Sequence, residues 1–175
     1  MPIIKTLLAA DPELVNKILI IEGKKYSPLM FAVEQNPIDY KVIEFLLESG
    51  ANANFQNNNL EFGTPFAKVC AGNDNDVLAI MELLQKYGAD INAIDGSYLT
   101  PLGRTLLSTK ENLTVVNFFF KNNITLNTLN ADGHNMLTLA SKNCNIKFVQ
   151  KACETYKLYG IDVNIGDKDG NTPLH

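Results

Sequence analysis

The chain repeats itself, and the repeat limits its fold more than any other feature. A helix-opening signal occurs as "YSPLMFA" (26–32), "GTPFAKV" (63–69), "LTPLGRT" (99–105), "HNMLTLA" (134–140) and "NTPLH" (171–175). Its hydroxyl or amide residue caps the first free backbone N–H groups. Proline fits the first turn, where its missing N–H costs nothing. Anchored at Pro28, Pro65, Pro101, Met136 and Pro173, the copies follow at intervals of 37, 36, 35 and 37 residues. A second signal runs in phase as "SGANAN" (49–54), "YGADIN" (87–92), "NNITLN" (122–127) and "YGIDVN" (159–164). Gly50, Gly88 and Gly160 mark helix ends, because glycine accepts the left-handed conformation, and Asn123 takes that place in the third copy.

Between the two signals lie apolar residues at helical spacing. Val42, Ile43, Leu46 and Leu47 form one set; Ile80, Leu83 and Leu84, then Val115, Val116, Phe119 and Phe120, repeat it. Each unit reads helix, short loop, longer helix, glycine stop, extended loop. Helix pairs are predicted at about 28–49, 65–87, 101–122 and 136–159. One pair cannot bury its apolar faces alone; stacked neighbours complete a continuous core.

These units resemble ankyrin repeats, whose pattern combines T-P-L-H-x-A with a later L-L-x-x-G-A-D-x-N. The best matches are "TPLH" (172–175), "LLESGANAN" (46–54) and "LLQKYGADIN" (83–92). The resemblance implies an all-α solenoid of stacked helix-turn-helix units with loop or hairpin fingers. Units fall at 26–62, 63–98, 99–133 and 134–170, and a fifth starts at 171–175. Residues 1–25 read as a degenerate helical cap, with Leu7, Leu8, Leu14, Val15, Ile18 and Leu19 covering the first unit's core. A linear targeting peptide is the alternative for that segment. The sequence stops just inside a helix-opening signal. The expectation is therefore a fragment, with more repeats or another domain after His175. Leu137, Leu139, Phe148, Val149 and Leu158 would then be partly uncovered, and self-association through that end would cover them.

The pattern departs from the family in length and in one residue. Family repeats run near 33 residues, and these are longer. In the first three units the excess lies between the helices, at 34–40, 71–77 and 108–114; in the fourth that loop (142–145) is short and the second helix lengthens through 151–160. The histidine of T-P-L-H is replaced by Met30, Ala67, Gly103 and Thr138, and stands only at His175.

Composition narrows the function. A net charge of −4 argues against nucleic-acid or anionic-membrane binding, which need a basic face. No apolar run approaches the roughly 20 residues of a membrane helix. The three cysteines form no CxxC, so reduced thiols in the cytoplasm are expected, or in a host cytoplasm for a secreted effector. The histidines are His134 and His175, and no serine, cysteine or aspartate forms a recognisable nucleophile set with them. No glycine-rich phosphate loop is present. Asp162, Asp167 and Asp169 superficially resemble a calcium loop, but the closing glutamate is absent and the segment is also the family's ordinary turn. Neither metal nor cofactor is expected, and no catalysis.

A binding surface for another protein is the remaining reading. The resemblance implies a concave face built from loop tips and first helices. Its candidates on the tips are Lys24, Tyr26, Leu60, Glu61, Ser97, Leu99, Asp132, His134, Lys168 and Asp169. On the ends of the first helices they are Glu34, Gln35, Lys142 and Asn143. Phe62 and Tyr98 are aromatic anchors in loops, with Phe55 beside them; the alternative is that Phe55 and Phe62 pack the loop between units one and two. A second functional reading makes this segment the substrate-targeting arm of a larger enzyme, or of a host-delivered bacterial effector, with the catalytic domain after His175.

Overall fold

The computed structural model describes residues 2–56, 63–72, 76–107, 113–122, 124–125, 128–143 and 146–175. After a first helix α1 (Pro2–Ala10) and a short 3-10 turn (Pro12–Asn16) comes a hairpin of β1 (Leu19–Ile21) and β2 (Lys24–Tyr26). Four helix pairs follow: α2 (Pro28–Val33) with α3 (Tyr40–Glu48), α4 (Pro65–Ala71) with α5 (Val77–Lys86), α6 (Pro101–Leu107) with α7 (Leu113–Lys121), and α8 (Met136–Lys142) with α9 (Ile146–Tyr159). These are the predicted pairs. The longest second helix is α9, where the extra residues of unit four were expected.

The caps explain where each pair begins. Ser27 Oγ accepts from Met30 N at 3.1 Å, Thr64 Oγ1 from Ala67 N at 3.3 Å, Thr100 Oγ1 from Gly103 N at 3.2 Å, and Asn135 Oδ1 from Thr138 N at 2.8 Å. All four capping residues are buried, so each polar group answers an orphan helix donor rather than water. The ends are equally regular. Gly50, Gly88 and Gly160 have φ of 91°, 84° and 64°. The N–H after each glycine reaches back five residues: Ala51 to Leu46 O at 2.9 Å, Ala89 to Leu84 O at 3.0 Å, Ile161 to Tyr156 O at 2.8 Å. That is the Schellman closure, which a side chain at φ above zero would strain.

First helices pack on first helices (α2 on α4, α4 on α6, α6 on α8), and second on second (α3 on α5, α5 on α7, α7 on α9). The result is a two-layer stack with one core. Phe66 of α4 is fully buried against Phe118 and Phe119 of α7, with ring centroids 6.0 Å away in both cases. Aromatic pairing thus locks unit two to unit three. Gly103 is small for packing reasons: a Cβ there would lie 3.1 Å from Leu99 Cδ2 and 3.4 Å from Met136 Cε.

Two expectations need correction. The N-terminal segment, expected as a degenerate helical cap, is helical through α1 and the 3-10 turn and then gives way to the hairpin. Of its six expected core residues only Val15 is buried; Leu8 and Leu14 are half-buried, while Leu7, Ile18 and Leu19 are exposed. The backbone of 19–26 pairs with itself instead of continuing a helix. At the other end, Leu137, Leu139 and Phe148 are buried and Val149 is half-buried, so Leu158 alone of the five is exposed. The α8–α9 pair closes most of that face from within.

Candidate functional site

Among the described residues, the three fingers after unit two, unit three and unit four are built by one device. Each begins with an asparagine or aspartate whose side chain folds the turn around itself. Asp95 Oδ1 accepts from Ser97 N at 2.7 Å and Leu99 N at 3.1 Å. Asn130 Oδ1 accepts from Asp132 N at 3.0 Å and His134 N at 2.9 Å. Asp167 Oδ1 accepts from Asp169 N at 2.9 Å and Asn171 N at 2.8 Å. These turns hold the finger tips in fixed conformations at intervals of 35 and 37 residues.

Two of the three carboxyl or amide anchors are also tied into the body. Asp95 Oδ2 meets Arg104 Nε at 2.5 Å, and its side chain is only 2% exposed. Asp167 Oδ2 lies 3.3 Å from His134 Nε2, with both side chains largely buried. The Asn171 backbone N–H holds the Asp167 carboxyl below the usual carboxylate range, outweighing burial; the Asn171 amide, the Asp169 N–H and His134 add to it. Asp162 turns its Oδ1 to its own loop, accepting from Asn164 N at 2.8 Å. The Asp162 and Asp167 carboxylates of the segment that superficially resembles a calcium loop thus accept from backbone donors. No group of three or more metal-ligating side chains forms among the described residues.

A second ladder joins the units, on asparagines given no role above. Asn16 Nδ2 donates to Gly50 O at 2.9 Å, and Asn16 Oδ1 accepts from Asn52 N at 2.8 Å. Asn54 repeats this with Gly88 O and Asp90 N, both at 2.8 Å, and Asn92 Oδ1 accepts from Thr125 N at 3.0 Å. The signal was present in sequence as the final asparagine of "GANAN" and "GADIN". The rung at Asn16 puts the N-terminal segment in phase with the repeats.

The expected surface residues divide into three groups. Tyr26, Leu99 and His134 are corrected from tip to interior. Tyr26 stacks edge-on against Phe31 with centroids 5.9 Å apart, and burial, then the neighbouring Glu34 carboxylate, pushes its phenol up. Leu99 is core, and His134 is buried beside Asp167. The exposed or half-exposed group comprises Lys24, Glu34, Gln35, Ser97, Tyr98, Asp132, Lys142, Asn143, Lys168 and Asp169. Within it Tyr98 stands out, 62% exposed at a φ of 58°. Lys168 Nζ donates to Ala131 O of the preceding finger, and Asn143 Nδ2 to Leu139 O at 2.9 Å. Leu60, Glu61 and Phe62 lie outside the described residues. Phe55 is half-buried against the core, as the packing alternative has it.

Among the described residues, cavities open on this framework. One of ≈ 400 Å³ lies between α8 and the last finger, lined by His134, Lys142, Asp167 and His175 among others. His175 Nδ1 accepts there from Thr172 N at 2.9 Å. A second of ≈ 290 Å³ lies at the ends of α2 and α4, around Glu34, Gln35 and Lys68. Glu34 Oε1 is buried there, 3.7 Å from Lys68 Nζ and without a hydrogen-bond partner among the described residues. The third, of ≈ 410 Å³, is almost wholly apolar and lies beside α1 and β1. No helix among the described residues is long and apolar enough to cross a membrane.

Residues 24–58 match the family model described as Ankyrin repeat. That stretch runs from β2 through the first helix pair, and the helix pairs of the remaining units are consistent with the same repeat. No curated protein matches the chain. Ankyrin repeats are generally protein–protein interaction modules and typically non-catalytic.

Proposed function

We propose that this chain is a protein-binding module that holds its partner against the finger tips and the ends of the first helices. The observation that carries this reading is the division of labour in the fingers. Asp95, Asn130 and Asp167 each spend a side-chain oxygen on folding their turn, while Tyr98, Asp132, Lys168 and Asp169 face solvent on those pre-formed turns, Asp132 and Asp169 at corresponding places. A rigid exposed aromatic flanked by charges binds with little ordering cost. Glu34, Gln35, Lys142 and Asn143 extend the same surface along the first helices. The free thiols of Cys70 and Cys153 support placing this binding in a reducing compartment such as the cytoplasm.

Photo-crosslinking in cells tests the reading. A crosslinker at position 98 should trap one discrete partner band, and Asp132→Lys should abolish it. The control position is Lys151, exposed on α9 away from the fingers. Equal trapping at 98 and 151, or a band indifferent to Asp132→Lys, would refute the proposal.

A further inference from the structure

We propose that the cavity between α8 and the last finger seats an acidic side chain of the bound partner, whose carboxylate pairs with Lys142. The inference rests on the protein-binding reading above and deepens it, naming the partner's chemistry at unit four.

The charges of the first helices lead to this seat. Each of α4, α6 and α8 carries one basic residue and no acidic one: Lys68, Arg104 and Lys142. The fold supplies a carboxylate to the first two. Glu34 Oε1, at the end of α2, lies 3.7 Å from Lys68 Nζ. Asp95 Oδ2, in the finger before α6, lies 2.5 Å from Arg104 Nε. Lys142 forms no ion pair among the described residues. It opens on the cavity of ≈ 400 Å³ together with Ser141, Asp167, Asn171, Thr172 and His175.

Asp167 shares the cavity but does not match Lys142. Its Oδ1 accepts from two backbone N–H groups, and its Oδ2 accepts from Asn171 Nδ2 at 3.2 Å. Oδ2 also faces His134 Nε2 at 3.3 Å, and the side chain is 5% exposed. Its charge is spent on the finger's own donors. Donors are also what the cavity has left over. His175 Nδ1 accepts from Thr172 N, which places the proton of the neutral ring on Nε2. That N–H, the Ser141 hydroxyl and the Lys142 ammonium have no acceptor among the described residues.

A ligand group that offers only acceptors answers this set. A carboxylate takes a charge-assisted bond from the ammonium and keeps lone pairs for the hydroxyl and the imidazole. The cavity has room for a whole aspartate or glutamate side chain. The net charge of −4 sharpens the choice of place. The chain as a whole repels an acidic segment, so such a segment gains only where a cation stands unmatched. Lys142 is that cation on the first helices.

Titration with an acetylated hexaglutamate peptide, read by amide chemical shifts, tests the seat with no partner present. The backbone amides of Ser141, Lys142 and Asn171 should move, and hexaglutamine and hexalysine should leave them in place. Lys142→Glu should weaken the binding about tenfold, and Lys142→Arg should keep it. Lys142 is exposed, so both variants should fold as the wild type does. Lys151→Glu makes the same change of charge on α9 and should leave the binding unaltered. Silent amides at millimolar peptide overturn the proposal. So does equal weakening by Lys142→Glu and Lys151→Glu. Inorganic phosphate that binds there more tightly than the peptide would assign the cavity to a free oxyanion and overturn the partner reading. A silent titration with a discrete crosslinked band at 98 removes the acidic seat and leaves the module standing. A missing band removes the module, and this inference with it.

Discussion

Replacing Asn54 with alanine removes one rung between units one and two. The amide makes two bonds across the interface, Nδ2 to Gly88 O and Oδ1 from Asp90 N, both at 2.8 Å. Each net hydrogen bond is worth about 0.5–1.5 kcal/mol, so the pair contributes about 1–3 kcal/mol. Asn54 is solvent-exposed, and water replaces part of what is lost. The expected loss is therefore in the lower half of that range, about 1–2 kcal/mol. For a chain of this size that lowers Tm by about 2–8 °C. Urea melts should show a lower midpoint at unchanged slope, and hydrogen exchange at the Asp90 amide should accelerate. Asn54→Asp keeps the acceptor and loses the donor, so the Asp90 amide should stay protected while stability still falls. Asn16→Ala breaks the equivalent pair at 2.9 and 2.8 Å and should act at the N-terminal segment instead. A loss under about 0.5 kcal/mol for Asn54→Ala, or an Asp90 amide exchanging as in the wild type, would show that the ladder is a consequence of stacking and not a contributor to it.

Three further outcomes are expected. Phe66→Ala should cost about 3–5 kcal/mol in denaturant melts, because the ring is fully buried between units two and three and contacts both Phe118 and Phe119. Asp167 has a folded-state pKa below its unfolded value, so its contribution is present above the unfolded value and lost as pH falls through the folded one. The stability difference between wild type and Asp167→Asn should accordingly be flat from neutral pH to about 4 and shrink below that, as read by urea melts at stepped pH. Cys153 is exposed and should react with a thiol reagent in the native state. Cys70, whose thiol burial pushes up, should react only on unfolding, as mass spectrometry of the labelled peptides would show.

The helix pairs were legible because their boundaries are local chemistry. Ser27, Thr64, Thr100 and Asn135 cap in the structure as their sequence context predicts, and Gly50, Gly88 and Gly160 close the second helices in the conformation only glycine adopts freely. The N-terminal segment was misread for the same reason. Ile18 to Ile21 form an unbroken aliphatic run, which has neither the helical nor the alternating period and so does not declare a strand. The deciding feature was the two-residue Glu22–Gly23 turn, and Glu22 is an uncommon residue at positive φ. In the fingers the difficulty was face, not position. Tyr26, Leu99 and His134 were placed on the right fingers, but a finger's side chains divide between interior and solvent within one or two residues. Tyr98 is 62% exposed and Leu99 is 5% exposed. The Asn ladder showed in sequence only as a recurring asparagine, because each rung joins residues 33 to 36 apart and only the stack brings them together.

The spacing of those rungs bears on how such a chain can lengthen. Asn16, Asn54 and Asn92 stand 38 residues apart, and the side chain of each reaches the turn that ends the next unit. An in-frame tandem duplication of the segment encoding 55–92 would follow Asn92 with the same turn that now follows Asn54. The new junction would consist of contacts already present between Asn54 and Gly88 and Asp90. Nothing at either end of the array would have to change. The asparagine ladder thus grows by the stretch from one asparagine to the next, and recombination between two such stretches yields a longer chain whose new rung repeats contacts already present.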